Sequence, residues 1–392
     1  MKSEDWIDPI LAAWRQESRL RSLRPLPSGG GRVVRDGRPL INFSSNDYLD
    51  FLHRPELIEA ARAATADCGV GSGASRLVTG DLAIHEELEA TLARQKGYPA
   101  ALVFGSGFLT NLGVITACVG RNDTVFADRL VHASILDAIR LSGAKLVRFR
   151  HNDAEDLGMR MTRDAVAGGR ALIVTESVFS MDGDLAPLPA IAAVARAHDA
   201  MLLVDEAHAT GVFGPSGHGL VAEHGLAGSV NLAMCTFSKA LGSYGGAVAC
   251  SATMRDWLIN AARPFIYTTA LPPGVCAASL AALHLLEREP GLGIELRRRA
   301  ATFRRLLQEH GLGTGASESQ IVPVVLGDNA RTLEVSARLQ EQGFLVTAIR
   351  PPTVPEGMAR LRFSITLAHS EDDLERAARA LRACLDAVGT AA

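Results

Sequence analysis

In the stretch CTFSKALGSYGG, Cys235 to Gly246, one lysine lies among small residues directly after the apolar run NLAMCT. Lysine ordinarily keeps its charge in water. Lys239 is therefore either a solvated loop residue or an amine held in a pocket, where it can attack a carbonyl carbon. An open α/β sheet places ligands at the carboxyl ends of its strands, so partners for that amine belong in the loops that follow the apolar runs. After MLLVD comes EAHATGVFG. Asp205 closes that run and is expected to be buried, which is costly for a carboxylate without a cationic or hydrogen-bonding partner. His208 follows three residues later. The pair also fits a structural core contact, or a metal site that lacks its remaining ligands. After AALVF comes GSGFLTN, Gly105 to Asn111. Its small residues let backbone N–H groups approach an anion at a helix start, or simply make a glycine turn. His132 follows DTVFAD ahead of a helical run and reads as structural or functional with equal ease. Ser180 and Asp182 follow ALIVTE, in a loop that is either a polar turn closed by Gly183 or part of the same crevice.

One cofactor answers these residue types together. Pyridoxal 5′-phosphate requires a lysine for a Schiff base, a carboxylate for its pyridinium nitrogen, a donor for its ring oxygen and a cradle for its phosphate. Lys239, Asp205, His208 and the Gly105–Asn111 loop supply these types in turn. The amine must be unprotonated to attack, and desolvation or a nearby cation lowers its pKa. His132 is the candidate to stack on the ring. No metal is expected, because Asp205 and His208 lack further ligands at suitable spacing.

The elements that must position these residues are legible as a repeating pattern. AALVF, DTVFAD, KLVRF, ALIVTE, MLLVDE, NLAMCT and GAVACS are short apolar runs without strict alternation, as expected of strands buried on both faces. Segments of helical period such as ASILDAIRLSG and PLPAIAAVARAHD separate them, so the fold class is α/β with a mainly parallel sheet. NLAMCT and GAVACS are too close for a crossover helix and are expected to run antiparallel. Beyond residue 273 the pattern becomes α+β. It closes on a helix beginning at SEDD, where Ser370 can cap and Asp373 can complete a capping box. The expected organisation is an arm over 1–50, a large cofactor domain over 51–275 and a small domain over 276–392.

The 392 residues are 47% hydrophobic and 21% charged with a net charge of -3, a balance that points away from nucleic-acid or membrane-surface binding. The N-terminal segment reads as an amphipathic helix without a signal-peptide core. No apolar run nears the ~18 residues of a membrane span. Six scattered cysteines without a CxxC pair read as reduced thiols of a cytoplasmic protein.

DEAHATGVFG followed by TFSKALGSYGG resembles the α-oxoamine synthases, a branch of the fold-type I pyridoxal-phosphate enzymes. NFSSNDYL, GSGASRLVTG, FGSGFLTN, DRLVHASILDAIR and ESVFSMDGDLAPL extend the resemblance over nearly the whole chain. It implies a large domain with a mainly parallel seven-stranded sheet, a smaller α+β C-terminal domain, and a homodimer with active sites at the subunit interface. It also implies an acyltransferase that joins an amino acid to an acyl thioester with loss of carbon dioxide. VTAIRPPTVPEGMARLRFSITLAHS is most similar to the biotin-pathway branch, whose substrates are L-alanine and a pimeloyl thioester (on coenzyme A or acyl carrier protein) and whose product is 8-amino-7-oxononanoate.

By that resemblance Lys239 carries the Schiff base and removes the α-proton, Asp205 pairs the ring nitrogen and His208 bonds the ring oxygen. His132 stacks on the ring and borders the substrate. Ser180, Thr236, Gly107 and Phe108 contact the cofactor, Thr236 at its phosphate. Arg362 would hold the amino-acid carboxylate by a two-point contact, while Arg21 and Thr353 would contact substrate, Arg21 at the far carboxylate of the acyl chain. On the residues alone each arginine reads more readily as a surface or ion-pair residue. Two departures stand out. The family pattern NDYLG reads NDYLD here, with Asp50 in place of glycine, and Arg76 in GSGASR replaces a smaller residue of some biotin-branch members, where it would alter acyl-chain contacts. Competing readings are an aminotransferase or C–C lyase of the same fold, a sister synthase using glycine with acetyl-CoA or serine with a fatty acyl thioester, and a non-catalytic scaffold.

Overall fold

The computed structural model describes residues 3–389. The apolar runs form one seven-stranded sheet: β1 (Ala100–Phe104), β2 (Thr124–Asp128), β3 (Lys145–Phe149), β4 (Ala171–Glu176), β5 (Met201–Asp205), β6 (Leu232–Thr236) and β7 (Gly246–Cys250). Their order is β1-β7-β6-β5-β4-β2-β3. Every neighbour pair is parallel except those of β7, which runs antiparallel to β1 and β6 as the short connection requires. Every residue of β1, β2, β6 and β7 is buried, which is why these strands read as unbroken apolar runs. The edge strand β3 instead exposes Lys145 and Arg148, charges that discourage edge-to-edge pairing. The other edge is guarded from within: Glu89 accepts the Val103 N–H at 2.8 Å.

The chain divides into two compact units. The larger holds residues 47–180 and 185–295, and with them the seven-stranded sheet. The smaller is assembled from residues up to 46, 181–184 and 296 onward. A division near 275 would cut helix Pro273–Arg288 from its partners. That helix packs against helices Pro55–Cys68 and Ala83–Lys96 of the larger unit, and a Cβ at Gly274 would lie 2.5 Å from Thr65 Oγ1. The division falls instead inside helix Leu292–Glu309.

Within the expected arm over 1–50, residues 32–42 are built into a sheet of the smaller unit. Strands Arg32–Arg35 and Arg38–Asn42 form a hairpin around Asp36 and Gly37, both at positive φ. The second strand pairs in parallel with Phe344–Leu345. A second sheet joins Ile321–Gly327, Ala359–Ser364 and Ala348–Ile349, so the stretch FLVTAIR is divided between two sheets. Phe43, Phe303 and Phe363 pack together here, with His369 stacked on Phe43 at 4.1 Å. The last helix, Glu371–Gly389, begins with the expected capping box: Asp373 N donates to Ser370 Oγ at 3.2 Å and Ser370 N to Asp373 Oδ2 at 2.9 Å. Segment 181–184 is held in this unit by Arg360, whose Nη1 donates to Asp182 Oδ1 at 2.5 Å and to Met181 O at 3.2 Å. Gly183 stands at φ +71 where a Cβ would lie 2.0 Å from Ile321 O. Among the described residues no helix is long and apolar enough to cross a membrane.

Candidate active site

The carboxyl ends of β1, β4, β5 and β6 open on a cavity of ≈ 200 Å³ in the larger unit. Gly107, Phe108, Asn111, His132, Glu176, Asp205, His208, Thr236 and Lys239 are among the residues that line it. On the β1 side, Ser106 caps helix Gly107–Cys118 by accepting the Leu109 N–H at 3.2 Å. The helix start is pressed onto the sheet: a Cβ at Gly107 would lie 2.8 Å from Met234 Cε, and one at Gly246 would lie 2.7 Å from Gly107 N. Only glycine lets the backbone approach this closely. The result is a helix N-terminus of the kind that binds phosphate, facing the same cavity as Thr236 and Ser238, whose hydroxyls lie 2.7 Å apart.

Asp205 is buried at the end of β5, and its charge is met by neutral donors. Asn111 Nδ2 donates to Oδ2 at 2.9 Å, and the Ala207 N–H donates to Oδ1 at 2.9 Å. His208 follows in the same loop with Nε2 2.9 Å from Lys239 Nζ and Nδ1 2.7 Å from the hydroxyl of fully buried Tyr48. A chain Tyr48–His208–Lys239 thus ends on the amine, which is half-buried. His132 caps helix Ala133–Ser142, and its Nδ1 accepts the Ser134 N–H at 3.2 Å. Desolvation lowers its pKa, with Lys239's charge adding to that and Asp205's charge opposing it. Its ring remains exposed on the cavity side of the sheet.

The expected pyridoxal phosphate fits these residues. Asn111 Oδ1 and Glu176 Oε1, both buried, have no hydrogen-bond partner among the described residues. Such orphaned atoms leave hydrogen-bonding groups unmet in the cavity wall, suited to a ring that carries several hydrogen-bonding groups. Lys239, Asp205, His208, His132, Gly107, Phe108 and Thr236 are brought together; Ser180 is not among the lining residues. Asp182 does not join this group, because Arg360 holds it in the smaller unit. Arg76 makes no free acyl-chain contact surface, since its guanidinium binds Asp81 Oδ1 at 2.6 Å and both oxygens of Glu89.

The smaller unit carries the remaining candidates. Arg21 Nη2 donates to Thr353 Oγ1 at 3.0 Å. Arg350 stands close enough for the charge of Arg21, after burial, to lower its pKa. Arg362 Nη1 donates to Ser364 Oγ at 2.7 Å and Asn46 Oδ1 at 3.3 Å. Sequence reasoning missed Tyr48, Asn111, Glu176 and Arg350 as site residues. Each sits inside a stretch already singled out (NDYL, GSGFLTN, ALIVTE, AIRPPTVP), but only the fold shows which member of the stretch faces its partners.

The aminotransferase class I and II family model matches residues 38–381. An 8-amino-7-oxononanoate synthase of Geobacter sulfurreducens is 50% identical over 370 residues, 94% of each chain. One of Anaeromyxobacter dehalogenans is 47% identical over 382 residues, 97% of this chain and 96% of that protein. The chain belongs to the 8-amino-7-oxononanoate synthase family. Among solved structures, a synthase of this family from Francisella tularensis covers 89% of this chain and 98% of its own with TM-score 0.77 at 29% identity. A serine palmitoyltransferase from S. paucimobilis, described with bound PLP-myriocin aldimine, matches all of both chains with TM-score 0.93 at 32% identity. These likenesses bear out the expected α/β architecture with its mainly parallel seven-stranded sheet.

Proposed function

We propose that the chain is a pyridoxal-phosphate-dependent acyltransferase that condenses L-alanine with a pimeloyl thioester, carried by coenzyme A or acyl carrier protein, to 8-amino-7-oxononanoate with loss of carbon dioxide. The observation that carries this reading is the convergence of Lys239, His208, Asp205 and the start of helix Gly107–Cys118 on one cavity. When bound, the cofactor supplies an aldehyde for an amine and a ring that accepts the electron pair left on the α-carbon. The helix start and Thr236 would hold its phosphate, Asp205 would pair with its ring nitrogen, and His132 would lie against its ring. Lys239 Nζ takes the α-proton and later returns it, while His208, fixed by Tyr48, keeps that amine in place. Arg362 takes the amino-acid carboxylate.

Arg21, with Thr353 and Arg350 beside it, binds the far carboxylate of the acyl chain. That cluster favours a carboxylate-ended donor over the plain fatty acyl thioester of a palmitoyltransferase, the second reading raised by the fold match. The homodimer is supported by exposed apolar side chains. Val70, Leu77 and Val78 are 83%, 52% and 73% exposed, on a loop bonded to the 270–271 segment, and nearby Tyr267 is 71% exposed.

Purified protein with pyridoxal phosphate, L-alanine and pimeloyl-CoA is expected to give the mass of 8-amino-7-oxononanoate only when both substrates are present. Lys239→Ala is expected to abolish turnover, and wild-type turnover in that variant would sink the scheme. Product from serine and palmitoyl-CoA, but not from alanine and a pimeloyl thioester on either carrier, would select the second reading.

A further inference from the structure

β4 ends in a carboxylic acid that this chemistry leaves unused. Glu176 is 3% exposed, lines the same cavity as Lys239 and pairs in register with Asp205 across β4 and β5. Residues in register on neighbouring strands point to one face, so two carboxyl groups stand side by side at the strand ends. Their surroundings differ. Asp205 accepts hydrogen bonds on both oxygens, from Asn111 and the Ala207 N–H. Glu176 has no such pair of donors, and its Oε1 has no hydrogen-bond partner among the described residues.

Two adjacent buried carboxylates do not both ionise; one keeps the proton. Burial is the largest influence on Glu176, and the charges of Asp205 and Asp128 act in the same direction. Lys239 and the His132 N–H oppose them, and the balance lies well above the usual carboxylate range. Asp205 has donors on both oxygens that stabilise a charge, whereas Glu176 has an oxygen without one.

We propose that Glu176 serves the site as an uncharged acid, whose O–H donates into the cavity and whose neutrality leaves Asp205 to carry the negative charge beside Lys239. The inference rests on the cofactor reading above. Its chemical sense lies in the amine: a second carboxylate charge would hold the lysine's proton more tightly and keep Nζ from attacking. A neutral donor adds a hydrogen bond without that effect.

The test compares Glu176→Gln, a neutral donor, with Glu176→Met, which fills similar space without one. Infrared difference spectra of wild type against Glu176→Gln at neutral pH are expected to show a protonated carboxyl band that the variant lacks. Absorbance titration of the Lys239 imine in the holoenzyme is expected to give Glu176→Gln a pKa within about 0.3 unit of wild type, because no charge is removed. Glu176→Met is expected to bind the cofactor about fivefold more weakly, the loss of one hydrogen bond. An imine pKa lowered by about one unit or more in Glu176→Gln, or no protonated carboxyl band, would overturn the proposal. So would equal cofactor affinity in the two variants. If Glu176→Met does not fold, the infrared band and the imine pKa still decide. If wild type forms no imine at all, the cofactor reading fails, while the infrared band still reports the state of Glu176.

Discussion

Tyr48 reaches Lys239 only through His208, so its contribution is one of position. Tyr48→Phe keeps the buried ring and removes the 2.7 Å contact to His208 Nδ1. The expected result is a fall in kcat of about tenfold, the worth of one buried hydrogen bond, with the melting temperature changed little. A large loss of stability with kcat per folded molecule unchanged would show that the hydroxyl serves the fold instead. Asp50 is legible in a different way. The resembling pattern has glycine there, and the structure gives the reason: the residue stands at φ 58. A left-handed conformation is strained for a residue with a Cβ, although aspartate tolerates it better than most. Asp50→Gly is expected to stabilise the protein by about 0.5 kcal/mol, read as a higher urea midpoint. A lower midpoint would show that the aspartate side chain contributes more than the backbone strain costs.

At the scale of elements, the loop that carries His208 is fastened behind the site by a buried ion pair. Lys96 Nζ donates to Glu206 Oε2 at 2.8 Å, to Thr210 Oγ1 at 3.0 Å and to His218 O at 3.0 Å, and Glu206 Oε1 accepts the Val221 N–H at 2.8 Å. Lys96→Met leaves a buried carboxylate without its cation and is expected to cost about 3–5 kcal/mol in chemical denaturation. The double variant with Glu206→Leu should recover part of that loss; no recovery would mean that the two side chains act independently. The strands on which this loop hangs were legible because full burial removes alternation and leaves short apolar runs. The hairpin Arg32–Asn42 was not read, although RVVRDGRPLIN carries the Asp-Gly turn between apolar pairs that marks one. GGGR just before it suggested a loose segment instead. The pair Lys96–Glu206 had no signal at all, since 110 positions separate its members.

At the scale of the molecule, the smaller unit contains its own response to acid. His369 accepts the Thr366 N–H at Nδ1, 3.1 Å away, and its Nε2 lies 3.2 Å from Asn42 O. The donor at Nδ1 fixes the neutral ring, and burial pushes the pKa down to about 4. A histidine depressed on folding is protonated more readily in the unfolded chain. Its contribution is therefore fully present above pH 6.5 and is lost as the pH falls toward 4, by roughly 3 kcal/mol in all. Melting followed across that window should show this loss, and His369→Gln should flatten it; an equally steep slope in the variant would assign the loss to other groups. The make-up of this unit was the least legible feature of the chain. Composition and periodicity describe neighbours in sequence, whereas Arg360–Asp182 and Ile41–Phe344 join residues far apart in the chain.

That discontinuity sets a timetable for synthesis. The hairpin strand Arg38–Asn42 leaves the ribosome long before Phe344–Leu345, its parallel partner. At about 5–20 residues per second the wait is roughly 15–60 s. The larger unit can meanwhile gather most of its sheet from consecutive segments. The early hairpin, with an unpaired edge and Val33, Leu40 and Ile41 still uncovered, can meet the same hairpin on a neighbouring nascent chain. Slower elongation after residue 46 would lengthen that exposure and raise the aggregated fraction, while supplying the C-terminal segment in trans would shorten it.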